Sequence, residues 1–233
     1  MPFGRLGVPL ACLVLALSLG TTPVAFAQEA GDSGATADTS AWTTELEGNL
    51  AASQAGYRNW AEGGVNTFAF SSSLQGAAAH TQGAWEESYD LRLSLGYIKS
   101  NGRSLRKSDD LIRLDAALTY QGGHGLLQQW NPVVAANLRT QFAPGFDYDK
   151  NPYADGREPP VRISEFLAPA TFSESVGLAY DAPSWFSQRF GLGGKQTLVR
   201  LQEFRPLYGL DPDETVRWEV GLDSKTELDV EVL

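Results

Sequence analysis

Residues 85–98 read W-E-E-S-Y-D-L-R-L-S-L-G-Y-I, and this stretch decides how the rest of the chain is understood. Trp85, Tyr89, Leu91, Leu93, Leu95 and Tyr97 alternate with Glu86, Ser88, Asp90, Arg92, Ser94 and Gly96, and only Glu87 breaks the apolar series. A period of two makes a β-strand with one apolar and one polar face. The run is longer than the usual strand of a globular protein. Its apolar face also carries aromatics at both ends and leucines between them. Trp85 to Tyr97 is about 40 Å of extended chain; tilted by about 45° it spans about 28 Å, close to the ~25 Å apolar band of an outer-membrane barrel.

The amino-terminal segment is set apart from this pattern. Arg5 precedes an apolar run from Leu6 to Leu19, and Ala25-Phe26-Ala27 is an A-x-A cleavage site. Residues 1–27 therefore read as a cleaved secretory signal peptide. Residues 28–41 are small and acidic without apolar periodicity, as in a flexible lead-in. Removal of residues 1–27 takes away the one cysteine and Arg5, leaving 17 basic against 28 acidic residues, a net charge of −11. That balance speaks against nucleic acid as a partner. Beyond the signal, no apolar run is long enough for a transmembrane helix, so a membrane-crossing mature chain would have to be a closed barrel.

Alternation continues from residue 42 onward. Strands are expected over Thr44–Leu50, Asn66–Leu74, Trp85–Ile98, Asp110–Gln121, Trp130–Phe142, within Ile163–Tyr180, and over Lys195–Phe204, Val216–Asp223 and Thr226–Leu233. Turns are expected at Ser100-Asn101-Gly102, at Gly122–Gly125, at Pro183 and at Asp223-Ser224-Lys225. The expected fold is all-β: an antiparallel up-and-down transmembrane β-barrel of about nine strands, occupying residues 42–233. With the first strand running outward, the long Gly145–Pro160 segment falls outside, and the turns at Pro183 and Asp223–Lys225 fall on the periplasmic side. Nine is odd, whereas bacterial single-chain barrels are even-stranded. The last alternating run stops at Leu233, so the expectation is of an incomplete barrel whose C-terminal strands are missing.

Several short boxes occur in order along the chain. They are Asn59-Trp60-Ala61-Glu62-Gly63-Gly64-Val65-Asn66, Arg106-Lys107-Ser108-Asp109-Asp110, Thr140-Gln141-Phe142-Ala143-Pro144-Gly145-Phe146 and Ile163-Ser164-Glu165-Phe166-Leu167-Ala168-Pro169-Ala170. Gly177-Leu178-Ala179-Tyr180 and Ser224-Lys225-Thr226-Glu227-Leu228 extend the series. Together they resemble a family of Bacteroidetes-type bacteria known as the domain-of-unknown-function 3078 family. The resemblance implies an outer-membrane barrel in a Gram-negative cell. It brings no established activity, and Ala170 departs from the family's glycine. Within the boxes, Trp60, Gly63, Gly64 and Asn66 read as an interfacial anchor and a tight connection. Arg106, Lys107, Asp109 and Asp110 read as a solvated ion-pair cluster at a strand entrance, with sugar or lipopolysaccharide phosphate as the alternative contact.

Candidate sites follow from the sidedness. Asp90, Arg92, Arg113, Asp115, Arg139, Arg200, Arg217, Glu219 and Asp223 lie on polar faces and would point into a lumen. Trp85, Tyr97, Tyr120, Trp130, Phe142, Tyr180 and Trp218 would form the aromatic girdles. Asp147, Asp149, Asn151 and Asp155 have oxygen ligands at calcium-like spacing, but Pro152 stands where an EF-hand loop needs glycine, so an acidic surface loop is expected rather than a metal site. The two histidines, His80 and His124, lie in turn-like contexts without a nucleophile at suitable spacing, and no phosphate-binding or zinc motif is present. No enzyme activity, metal or cofactor is expected. The expected function is a porin-like or small-solute transport barrel, with outer-membrane lipid, lipopolysaccharide and the barrel-insertion machinery as partners. The alternatives are a non-conducting barrel that binds lipopolysaccharide, a glycan or a partner protein through its loops, and a soluble exported β-sandwich.

Overall fold

The computed structural model describes residues 42–56, 65–125, 129–153, 155–180 and 185–228. The expected signal peptide and lead-in, Trp60, Gly63 and Gly64, the turn at Pro183 and residues 229–233 lie outside them.

The chain forms β1 (Thr43–Ala55), β2 (Thr67–Gln82), β3 (Trp85–Ser100), β4 (Arg106–Tyr120) and β5 (Asn131–Thr140). There follow a small ribbon, β6 (Gly145–Asp147) and β7 (Val161–Ser164), then β8 (Ala170–Tyr180), β9 (Phe186–Leu198), a 3₁₀ turn over Gln202–Tyr208 and β10 (Val216–Leu228). Eight strands make one antiparallel sheet in the order β1-β2-β3-β4-β5-β8-β9-β10, with β6-β7 separate. Apart from the β6–β7 excursion, every neighbour in space is a neighbour in sequence, the meander expected from the evenly spaced alternating runs. The all-β, antiparallel expectation holds. The sheet is open rather than closed: among the described residues, β1 and β10 each pair on one side only.

Pairing carries the alternation across the sheet. Leu91, Leu114, Leu138 and Phe172 stand opposite one another on one face, and Asp90, Asp115, Asn137 and Ser173 on the other. The apolar face is convex and the polar face concave. Connections at one end are short: 2 residues between β2 and β3, 10 between β4 and β5, and 5 between β8 and β9. At the other end they are 11, 5, 29 and 17 residues. The 5-residue one begins on Asn101 and Gly102, both at positive φ, with Arg103 N–H donating to Ser100 O at 2.9 Å. That is the Asn-Gly hairpin turn the sequence announces.

Two expectations are corrected. The residues Asp223-Ser224-Lys225 are not a turn; they pair with Gly191, Phe190 and Arg189 inside β10. The two last expected strands are therefore one, which brings the sheet to eight. The alternation keeps its phase across these polar residues, and none of them is a glycine suited to a tight hairpin. The expected strand Lys195–Phe204 lies one step out of register. β9 begins at Phe186 and ends at Leu198, with Lys195 on the concave face and Gln196 on the convex one. Val199, which suggested the wrong phase, is buried beyond the strand end. Its true phase is obscured because Gly191, Gly193 and Gly194 show no side chain. Gly191 is needed for close approach: a Cβ there would lie 2.6 Å from Val176 O.

The two longest connections fold together as a cap at their end of the sheet. Val199, Phe204 and Leu210 of the β9–β10 connection pack with Ala168 of the β5–β8 connection, and Tyr153, Leu201 and Tyr208 surround them. The described side chains with the least exposure, Phe204 and Val199, are here and not in the sheet.

Candidate functional site

The concave faces of β3, β4, β5, β8, β9 and β10 line a groove of about 1050 Å³. Its walls hold charges in rows set by strand register. In one row Arg92, Arg113 and Arg139 stand directly opposite one another on β3, β4 and β5, followed by Thr171, Thr197 and Arg217. The next row toward the short-turn end runs Asp90, Asp115, Asn137, Ser173, Lys195 and Glu219. Like charges directly opposite destabilise a sheet unless something offsets them. Arg113 is offset along its own strand: its Nε and Nη2 donate to Asp115 at 2.6 and 2.9 Å, and Asn137 Nδ2 donates to the same carboxylate at 2.8 Å. On the far wall Arg217 and Lys195 pair with Glu219 at 3.1 and 3.3 Å, and Arg189 pairs with Asp223 at 3.2 Å. Arg92 and Arg139 are exposed, and neither makes a side-chain hydrogen bond or ion pair among the described residues.

Asp90, Arg92, Arg113, Asp115, Glu219 and Asp223 line the groove. Arg139 and Arg217 share its polar face by register, and the Arg217 guanidinium also donates to Tyr208 O at 2.8 Å, tying the wall to the cap. Arg200 is elsewhere: past the end of β9, its guanidinium reaches Glu165 at 2.8 Å inside the cap. Glu86, Gln121, Arg189, Lys195 and Lys225 also line the groove and were not singled out from the sequence. The phase of β10 past Asp223, and of β9, would have found the last three.

The convex face is apolar and open, with Leu192, Val220 and Leu222 among its most exposed side chains. At the short-turn end aromatic rings meet in succession. Trp85 lies 4.9 Å from Tyr120, Trp130 lies 5.2 Å from Tyr180 and 6.4 Å from Phe190, and Trp42 stacks on His80 at 4.8 Å. Tyr97, Phe142 and Trp218 lie toward the cap end. Carboxylates that interrupt this face include Glu87, which accepts a hydrogen bond from the Tyr89 hydroxyl at 3.3 Å, and exposed Glu174, which accepts one from Gln196 Nε2 at 3.2 Å.

Three of the sequence boxes, at residues 106–110, 140–146 and 163–170, meet at the cap end. Lys107 Nζ donates to Asp110 at 2.7 Å, to Gln141 Oε1 at 3.2 Å and to Ala143 O at 2.8 Å. Asp110 in turn accepts the Phe142 and Ala143 N–H groups at 2.7 and 2.9 Å. Gln141 Nε2 donates to Glu165 O, and Thr140 Oγ1 donates to Pro169 O and accepts from Leu167 N–H. The expected solvated cluster is thus a latch. The Asp110 side chain is only 3% exposed, because backbone N–H groups and a lysine supply what water would. Arg106 lies 3.9 Å over the Tyr148 ring. Asn66, the described member of the first box, exchanges hydrogen bonds with Asn101 at 2.8 and 3.0 Å.

The acidic loop uses its oxygens internally. Asp147 accepts the Asp149 and Lys150 N–H groups, which holds its carboxyl below the usual range. Hydrogen bonds from Arg157, then Asn151, hold Asp155 well below it. Among the described residues no group of acidic, histidine or cysteine side chains is placed to hold a metal. Arg157 and Arg162 both reach Glu203, at 3.7 and 3.0 Å, bridging the two cap connections. Burial, then the Glu203 charge, pushes the Tyr153 hydroxyl up to about 12, and that hydroxyl donates to Arg162 O at 2.8 Å.

No curated protein and no solved structure gives a significant match to this chain. A family model does match it, from Ala52 on β1 to Phe146 on β6, a span holding the first three boxes and the arginine row of β3–β5. The matching family is described as protein of unknown function, DUF3078, and residues 52–146 are similar to it.

Proposed function

We propose that the chain forms the wall of an outer-membrane β-barrel whose concave face lines a water-filled path for small solutes. The observation carrying this reading is the division of the sheet: a convex face of exposed leucines, valines and aromatics, and a concave face lined by charges around a groove of about 1050 Å³. In a membrane barrel the first face meets lipid and the second water. Main-sheet strands of 10 to 16 residues are long enough to cross, and short turns at one end with long connections at the other follow the asymmetry of such barrels. In lipid only a closed sheet satisfies its backbone, so the reading requires the outer edges of β1 and β10 to be paired in the membrane.

Two measurements test it. Full-length protein refolded into vesicles should show heat-modifiable gel mobility and should make the vesicles permeable to small sugars. A protein that stays in the aqueous fraction after membrane fractionation would overturn the membrane reading. One that inserts but leaves the vesicles sealed would overturn the path. The latched cap favours a second reading in that last case, a non-conducting barrel that presents its cap to a glycan or partner protein.

A further inference from the structure

We infer that the row Arg92–Arg113–Arg139 is a binding site for the phosphoryl group of a small solute. The inference deepens the reading above and rests on it for the water in the groove. Register alone puts the three residues side by side on adjacent strands. With strands about 4.8 Å apart, their Cα atoms span about 10 Å across the sheet. Three guanidinium groups in line repel one another, and the rest of the concave face shows how this chain handles such repulsion. Arg113, Arg189, Lys195 and Arg217 are each matched to a carboxylate. Arg92 and Arg139 form no ion pair among the described residues, although both are exposed on the same polar face and the Arg92 charge acts on Asp115 at longer range. Asp90 stands opposite Asp115 in the neighbouring row, forms no ion pair and acts on Arg113 through its charge alone.

The positive charge is therefore open to something from solution. A carboxylate offers two oxygens in one plane, whereas a phosphoryl group offers three and carries more charge, which suits it better to neighbouring guanidinium forks in a row. Thr171 and Thr197 continue the row with hydroxyls, and Thr197 Oγ1 is buried without a partner. Because the chain as a whole carries a net charge of −10, a cationic row confined to three strands is a local feature rather than a reflection of overall charge. Arg113, held by Asp115, whose carboxylate Asn137 also binds, keeps the centre of the row fixed, while Arg92 and Arg139 have the freedom to close on a ligand.

Calorimetry on the full chain refolded in detergent, with inorganic pyrophosphate and acetate as probes, tests the site. Saturable pyrophosphate binding at least tenfold tighter than acetate is expected. Arg92→Gln with Arg139→Gln should weaken pyrophosphate about a hundredfold, taking about tenfold for each charged hydrogen-bonding group removed. Lys99→Gln with Arg103→Gln removes the same charge near the β3–β4 turn and should leave binding unchanged. Equal loss in both double variants would reduce the effect to net charge and overturn the site, as would acetate binding as tightly as pyrophosphate or no saturable binding by wild type. An unchanged amide spectrum confirms that each variant folds. Vesicle permeability separates this inference from the path: conducting protein without pyrophosphate preference removes the site alone, and binding without permeability removes the path alone.

Discussion

Phe204 and Val199 in the cap are 0% exposed, whereas Val220 and Leu222 on β10 are 87% and 88% exposed. Both sets are ordinary apolar side chains, separated by fewer than twenty-five residues. The cap solves its folding problem as a small soluble domain does, with a buried aromatic, a latch around Asp110 and ion pairs bridging its two connections. The sheet has no second layer over its apolar face among the described residues. Its order comes from the backbone ladder that joins its eight strands. The contrast teaches that the alternating pattern sorts apolar from polar side chains onto two faces of the sheet, whereas burial among the described residues is achieved in the cap.

Substitutions can break or sharpen this contrast. Phe204→Ala should have the largest effect, about 3–5 kcal/mol, because a fully enclosed ring leaves a cavity. Amide exchange should accelerate across residues 199–215 while β3 and β4 keep their protection; uniform acceleration would mean that cap and sheet unfold as one unit. Leu222→Arg comes next. In vesicles it should lower folding stability by about 2–4 kcal/mol if the convex face meets the lipid midplane. In detergent-free buffer an 88% exposed position would tolerate it, so a neutral result in vesicles breaks the comparison.

Thr140→Val should be smaller, about 1–3 kcal/mol for each group left unsatisfied. It removes the acceptor for Leu167 N–H and the donor to Pro169 O, both at 3.1 Å, and Leu167 at φ 57 has no glycine-like freedom to compensate. Faster exchange of the Leu167 amide, read by mass spectrometry, checks it. The smallest effect is acid loosening of the loop around Asp147 and Asp155. Both carboxyls are depressed in the folded chain, so their contribution is complete above the ordinary carboxylate pKa of about 4 and is lost as pH falls through the depressed values. Order at pH 4 and its loss in stronger acid, followed by amide exchange over residues 147–157, is the expected outcome. Asp155→Asn should remove part of that dependence.

The strands with at most one glycine in their alternating run were legible from their residues. β3, β4, β5 and β8 have the faces that alternation assigns, and in β10 the same alternation ran on through Asp223–Lys225 where a polar triplet had suggested a turn. β9 was misread by one residue because glycines hold three of four consecutive positions from Gly191 to Gly194, and a missing side chain reports no face. The nearest apolar cue, Val199, belongs to the cap. Arg200 shared that error. The Arg106–Asp110 box looked solvated because sequence shows charges and not their partners; Gln141, Ala143 and Phe142 come from more than thirty residues away.

By itself the sequence determined the antiparallel all-β class, the sidedness of most strands and the segregation of charge from aromatics, because a period of two is a local property of extended chain. Only the tertiary structure decided the rest. Register put three arginines in line, pairing among the described residues left β1 and β10 with open edges, and long-range contacts turned two loops into a latched cap. Each of these depends on which strand lies beside which and at what offset. A one-residue change of offset would send every one of those side chains to the opposite face.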